Sequence, residues 1–119
     1  MSSSDTLASL NSAALGADMP VVTLPTGQKV QTGTVATLLI NIKKYDALAA
    51  QAETANGQEK VEFDTQIKDI EHFFLAAMPL LHKVGMFDLF IPDEWIAGTR
   101  SAGRRRVGEL AKAMVEENK

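Results

Sequence analysis

Apolar residues recur along most of this chain at the three- and four-residue spacing that is typical of amphipathic helices. The pattern predicts a short helix near the N-terminus and three long helices after it. A brief additional helix is expected where Pro92 precedes two acidic residues, because proline and acids favour a helix start. The predicted helices cover Thr6–Leu15, a segment from Thr32 or Thr34 to Asn56-Gly57, Glu59–Met78 and Ser101–Asn118.

A different pattern occupies the stretch between the first two helices. Val21–Leu24 and Lys29–Thr32 flank the sequence Pro25-Thr26-Gly27, which suits a tight turn between two strands. An isolated two-stranded hairpin is only marginally stable in water, so it must pack against something else. We therefore predict an α+β fold, mainly α, with one N-terminal β-hairpin packed on a bundle of about four helices. The hairpin is expected to lie against the second and third helices.

Length and composition predict one domain. The chain has 119 residues, of which 45% are hydrophobic and 23% charged, and a chain of this kind can bury a single core. We divide residues 1–119 into a short N-terminal helix within 1–19, the hairpin at 20–32 and a helical body at 33–119.

The second helix carries apolar residues on more than one side. One stripe comprises Val35, Leu38, Leu39, Ile42, Tyr45 and Ala49, whereas Ile40 points to the opposite side. Such a helix is either central in the core or contacts a second subunit. Two routes to a homodimer follow: pairing of hairpin edges around Val22 and Val30, or contact through the side of the helix that bears Ile40.

The segment Met86–Gly98 is rich in aromatic and aliphatic residues. Its Trp95 is a candidate interface anchor, because exposed aromatic side chains often carry binding energy. Core packing is the favoured interpretation of most residues in this segment, since a domain this small needs them inside.

Charge and cysteine content narrow the function classes. The net charge of −3 gives no overall attraction to nucleic acid or anionic membranes. The absence of cysteine excludes disulfides, thiol nucleophiles and cysteine-ligated zinc. The first residues lack the pattern of a signal peptide, and no apolar run is long enough to span a bilayer. We expect a soluble cytoplasmic protein with no membrane partner.

Arginines cluster around the start of the last helix. Ser101, Arg100, Arg104 and Arg105 form a candidate anion site, because free backbone amides and the helix dipole also favour negative charge there. The alternative is that these arginines pair with Asp88, Asp93 and Glu94. Nucleic-acid binding is disfavoured, because consecutive arginines lie about 100° apart on a helix and do not form one stripe.

Catalytic and metal motifs are weak. Asp69 and His72 have the i,i+3 spacing that is found in one half of a carboxylate–histidine metal site, but both fall on the polar side of their helix. The other histidine, His82, is not aligned with His72. No nucleophile motif is present. We predict no catalytic residue, no metal ligand and no cofactor, and an enzyme is the third choice of function.

Three segments resemble a family of small bacterial proteins of unknown function. They are TLPTGQKVQTGTVATLLINIKKYD, KVGMFDLFIPDEW and GRRRVGELA. The resemblance covers roughly Pro20 to Lys112 and implies a compact bacterial domain. It brings no activity, cofactor or site residue.

The sequence therefore predicts a protein–protein interaction or regulatory module that forms a homodimer or binds another protein. A regulatory domain that binds an anion or small molecule at the arginine-rich helix start is the alternative.

Overall fold

Six helical segments make up most of the structure, a computed structural model that describes residues 3–18, 20–27 and 29–117. Side chains are described for 7–18, 20–27, 29 and 32–116. The helices are α1 (Ser3–Leu15), α2 (Thr34–Thr54), α3 (Gly57–Lys83), α4 (Met86–Leu89), α5 (Pro92–Ala97) and α6 (Ala102–Glu117), and two strands, β1 (Val21–Thr23) and β2 (Lys29–Gln31), lie between α1 and α2.

The core is built around the second half of α3. Phe74 is fully buried, and its ring lies 5.8 Å from that of Tyr45 on α2 and 6.2 Å from that of Phe73. Other helices contribute the remaining buried side chains, among them Leu7, Leu38, Phe87, Trp95, Val107 and Ala111. The buried residues of α3 recur at helical spacing, and α3 contacts α1, α2, α4 and α6.

Proline does not break α3. The predicted helix ends at Met78, directly before Pro79, but α3 continues through Pro79 to Lys83. The chain turns only at Gly85, whose φ of 83° is readily adopted by glycine. The extra turn of helix carries Leu81, which is fully buried.

The two strands are shorter and differently placed than expected. They pair antiparallel with Val22 opposite Val30, and the turn is closed by a 2.9 Å hydrogen bond from the Gly27 N–H to the Leu24 carbonyl. All three residues of β1 are exposed, and β2 contacts α1. The prediction that the hairpin packs against the second and third helices is wrong, because α1 packs against α2 and α3 instead. The mainly α character is confirmed.

A polar contact between α1 and α2 explains this arrangement. The Asn11 amide nitrogen donates to the Thr34 hydroxyl at 2.9 Å and to the Thr32 carbonyl at 3.3 Å. Asn11, Thr34 and Thr37 are all buried. The predicted stripe on α2 is therefore displaced around the helix: Leu38 is buried as expected, but Val35 and Leu39 are exposed.

Close backbone packing holds α5 against α6. A Cβ atom at Gly108 of α6 would lie 2.9 Å from the Pro92 carbonyl oxygen and 2.9 Å from the Trp95 Cβ. Real Cβ atoms do not approach other atoms so closely, so only glycine fits at this position without a shift of α5.

We predict that Gly108→Ala destabilises the protein by about 1–3 kcal/mol, because overpacking outweighs the roughly 1 kcal/mol that alanine gains over glycine in a helix. Urea unfolding gives the free energy. Glu116→Ala, at an exposed position of the same helix, is the control and should change stability little. A Gly108→Ala protein as stable as the original would show that the contact is not tight.

Candidate functional site

A carboxylate from α2 lies at the start of α6, where the arginine cluster begins. The Ser101 hydroxyl is 2.7 and 2.9 Å from the two oxygens of Asp46 and donates to this carboxylate. The backbone N–H of Gly103 donates to Asp46 Oδ1 at 2.7 Å. Ser101 in turn caps the helix, because its Oγ accepts the Arg104 N–H at 3.0 Å. Asp46 and Ser101 together satisfy two amides of the first turn.

The geometry allows Asp46 to come this close. At Gly103 a Cβ atom would lie 2.9 Å from the Ile42 carbonyl oxygen and 3.1 Å from Asp46 Oδ1. The missing side chain therefore lets the start of α6 touch the backbone of α2. The first turn of α6 has no acidic residue of its own, so α2 supplies the negative charge that the positive end of the helix favours.

This contact changes the interpretation of the predicted anion site. Of its four residues, Ser101 binds Asp46, Arg100 is exposed, and Arg104 and Arg105 are engaged with α5 and its end. An external anion at the first turn would have to displace Asp46. The physical features that favour an anion are real, but an internal carboxylate uses them, so we do not propose an anion site here.

The described contacts of these arginines do not include Asp88, Asp93 or Glu94. The Arg104 guanidinium lies 5.5 Å from the centroid of the Trp95 ring, and Arg105 Nη1 donates to the Gly98 carbonyl at 3.0 Å. Arg106 Nε binds Glu71 of α3 at 2.8 Å. Of the three acids that we considered as partners, Asp93 is paired with Lys112 at 2.9 Å. The cluster joins α6 to α3 and α5.

Tyr45, Glu71 and Arg106 form a half-buried polar group at the junction of α2, α3 and α6. The Tyr45 hydroxyl donates to Glu71 Oε1 at 3.4 Å, a long hydrogen bond, and Arg106 also reaches Glu109 at 3.4 Å. Burial and the nearby Glu71 carboxylate raise the pKa of Tyr45. Each member has a partner, so the group is suited to joining helices.

Neither a metal-ligand cluster nor a membrane-spanning helix is found in the described residues. No three histidine, aspartate or glutamate side chains among them are placed to hold a metal ion. Asp69 and His72 are both exposed on α3, and the His82 ring packs 4.9 Å from that of Phe87. No described helix is long and apolar enough to cross a membrane.

The candidate interface residues whose side chains are described differ in exposure. Val22 is exposed on β1 and Ile40 is half-buried on α2. The backbone of Val30 pairs with Val22, while its side chain lies outside the described part of the structure. Trp95 is only 6% exposed and packs on Phe87 and Phe90. The proposal that Trp95 is a surface anchor is therefore wrong, and core packing, the favoured interpretation, holds for it.

Asp46 is a site residue that the sequence analysis did not identify. One signal was available: Asp46 lies on the same side of the helix as Ile42, Tyr45 and Ala49, which are apolar or aromatic. An acid within such a stripe needs a partner when it is buried. The chain could not reveal that the partner is more than fifty residues away.

Comparison with known proteins gives the family. A model described as a domain of unknown function (DUF7709) matches residues 5–115. The chain belongs to the DUF7709 family. The expectation of a family of unknown function is confirmed, and the DUF7709 match extends beyond the segments that carried the resemblance. No curated protein and no solved structure matches the chain. The DUF7709 description assigns no role to any residue.

We predict that Asp46→Ala lowers the free energy of unfolding by about 1–3 kcal/mol, since it leaves the Ser101 hydroxyl and the Gly103 amide without their acceptor. Chemical denaturation measures this. Asp64→Ala is the matched control, because Asp64 makes only an exposed ion pair with Lys60 at 3.5 Å and should cost under about 0.5 kcal/mol. Equal effects of the two substitutions would contradict the anchoring role of Asp46.

The raised pKa of Tyr45 predicts a loss of stability at alkaline pH. The neutral phenol is favoured in the folded state, so its contribution is complete below the ordinary pKa of 10.0 and is lost as pH rises through the folded value. Tyr45 is the only tyrosine, so the absorbance of its phenolate reports this titration directly. Glu71→Gln should lower the midpoint, because it removes the neighbouring negative charge. A midpoint that Glu71→Gln leaves unchanged would contradict the coupling.

Proposed function

We propose that this protein is a protein–protein interaction module that forms a homodimer through an apolar surface on α2 and the end of α3. The surface, here called the α2 patch, comprises Val35, Leu39, Leu80 and Val84. Leu39 is 55% exposed, and Val35 and Val84 are also exposed. Large apolar side chains grouped at the surface are the feature that most often marks an interaction site.

A shallow groove adds to this surface. It has a volume of about 370 Å³ and lies between the first turn of α2 and the last turns of α3. Val35, Ala36, Leu80 and Val84 supply its apolar walls, and residues 32–34 supply the rest of its lining. None of the described residues that line this groove is charged, so an apolar side chain could enter it without displacing an ion pair of these residues.

A second copy of the chain is the occupant that we favour. Most soluble homo-oligomers are twofold symmetric, and in a twofold interface the same patch meets itself. The exposed side chains of Val35 and Leu39 lie on the same helix as one wall of the groove, so the surface could be complementary to a second copy of itself. A strongly charged patch would instead repel its copy. The α2 patch has this uncharged character.

The predicted routes to self-association are thereby revised. The second helix remains the contact element, but Val35 and Leu39 are its exposed apolar residues, whereas Ile40 is half-buried. The strand route is less favoured, because β1 offers an edge of only three residues. The anion-binding alternative is not favoured by any observation, because Asp46 fills the helix start.

We predict that Leu39→Glu converts the dimer into a monomer, because two copies would bring like charges together in an apolar contact. Sedimentation velocity at micromolar concentration measures the mass. Val61→Glu is the control: Val61 is 56% exposed, close to the value for Leu39, but lies on the first turns of α3, near the opposite end of α2.

The proposal fails if the unsubstituted protein sediments as a monomer at these concentrations. It also fails if Val61→Glu reduces the mass as much as Leu39→Glu. Because Leu39 is more than half exposed, Leu39→Glu should leave the monomer folded, with an unchanged helical circular-dichroism spectrum.

A further inference from the structure

Three consecutive apolar residues project from the turn between α4 and α5. Leu89, Phe90 and Ile91, here called the apolar tip, are 79%, 50% and 49% exposed. A run of exposed large apolar residues lowers solubility and is kept in folded proteins chiefly where it binds something. The apolar tip shares no residue with the α2 patch.

The apolar tip has a fixed shape. The Phe90 N–H donates to the Met86 carbonyl at 2.9 Å, and the Ile91 carbonyl accepts the Glu94 N–H at 3.0 Å. The Phe90 ring packs edge-on against Trp95, with centroids 6.2 Å apart. Trp95 is buried, so the apolar tip rests on the core. A surface already held in one conformation loses little conformational entropy when it binds.

Acidic residues border the apolar tip on both sides. Asp88 precedes it, and Asp93 and Glu94 follow Pro92. Asp93 is bound to Lys112, whereas Asp88 and Glu94 are exposed acids. Two described cations in this region already have partners in the chain: Lys112 binds Asp93, and Arg104 lies over the Trp95 ring. Acids around an apolar centre favour a partner that carries cations around an apolar surface.

The negative charge of these bordering acids also favours one class of partner over another. Anionic lipid surfaces attract basic segments and repel acidic ones, so the border does not favour insertion of the apolar tip into such a membrane. Basic amphipathic helices present an apolar stripe between rows of lysine or arginine, which matches the apolar tip and its acids.

We propose that the apolar tip docks a protein segment that presents apolar side chains bordered by lysine or arginine, such as a basic amphipathic helix. This inference goes beyond the homodimer: it assigns a second surface, for a partner other than a copy of the chain. Leu89 and Phe90 supply the apolar contact, while Asp88 and Glu94 orient the basic side chains.

The test uses a fluorescently labelled amphipathic helical peptide of leucine and lysine as the probe, titrated with the full chain and followed by anisotropy. We predict saturable binding that Leu89→Ser and Phe90→Ser each weaken about tenfold or more, as expected for anchors at an interface. The double variant Asp88→Asn/Glu94→Gln should weaken binding most at low salt. The Leu89→Ser variant is expected to fold normally, because Leu89 is largely exposed. A loss of binding in this variant therefore reports on the contact and not on misfolding.

Matched controls separate docking from nonspecific attraction. Val61→Ser and Glu62→Gln change exposed residues of the same types on α3 and should leave the affinity unchanged. A peptide of the same composition in scrambled order, and one with glutamate in place of lysine, should bind at least tenfold more weakly.

The proposal is overturned if the leucine–lysine peptide does not bind, if Leu89→Ser binds it as well as the original protein, or if the glutamate peptide binds equally. Binding of the apolar tip to anionic vesicles in preference to the peptide would also overturn it. Leu39→Glu should retain peptide binding and Leu89→Ser should retain the dimer mass, so failure here is distinguishable from failure of the homodimer proposal.

Discussion

A carboxylate in the middle of α2 determines where α6 begins. Asp46 accepts hydrogen bonds from the Ser101 hydroxyl and the Gly103 amide, and Gly103 allows the two helix backbones to meet. A helix start that has no acid of its own thus obtains one from another element. This one contact joins residues that are far apart in sequence. It fixes both the position along α2 at which α6 begins and the close distance between the two helices.

The other surfaces depend on that placement. Once α6 is held at its start, Gly108 receives α5, and α5 in turn supports the apolar tip through Trp95. The arginines that follow Ser101 are drawn into the same assembly: Arg104 over Trp95, and Arg106 to Glu71 of α3. A cluster that would suggest a ligand site on its own therefore holds helices together, and the exposed apolar residues become the better functional lead.

Features that depend on neighbouring residues could be predicted from the sequence, whereas contacts between residues distant in sequence could not. Apolar periodicity located α3 and α6 within a few residues, because their buried faces repeat along the chain. It failed to locate the buried face of α2, where the buried Thr34 hydroxyl accepts a hydrogen bond from Asn11 across the contact with α1. Polar residues that satisfy each other inside look like surface residues in a linear pattern. The Asp46 contact was missed for the same reason, and the exposure of Leu89–Ile91 could not be told from core packing by composition alone.

Hydrogen exchange of the Gly103 amide tests the role of Asp46 most directly. Amides in the first turn of a helix lack an acceptor within the helix and usually exchange readily. If Asp46 holds this amide, it should be protected like amides in the middle of α6, and Asp46→Ala should remove that protection while leaving the amides of α3 protected. Rapid exchange of Gly103 in the unsubstituted protein, as in an open helix end, would contradict the account.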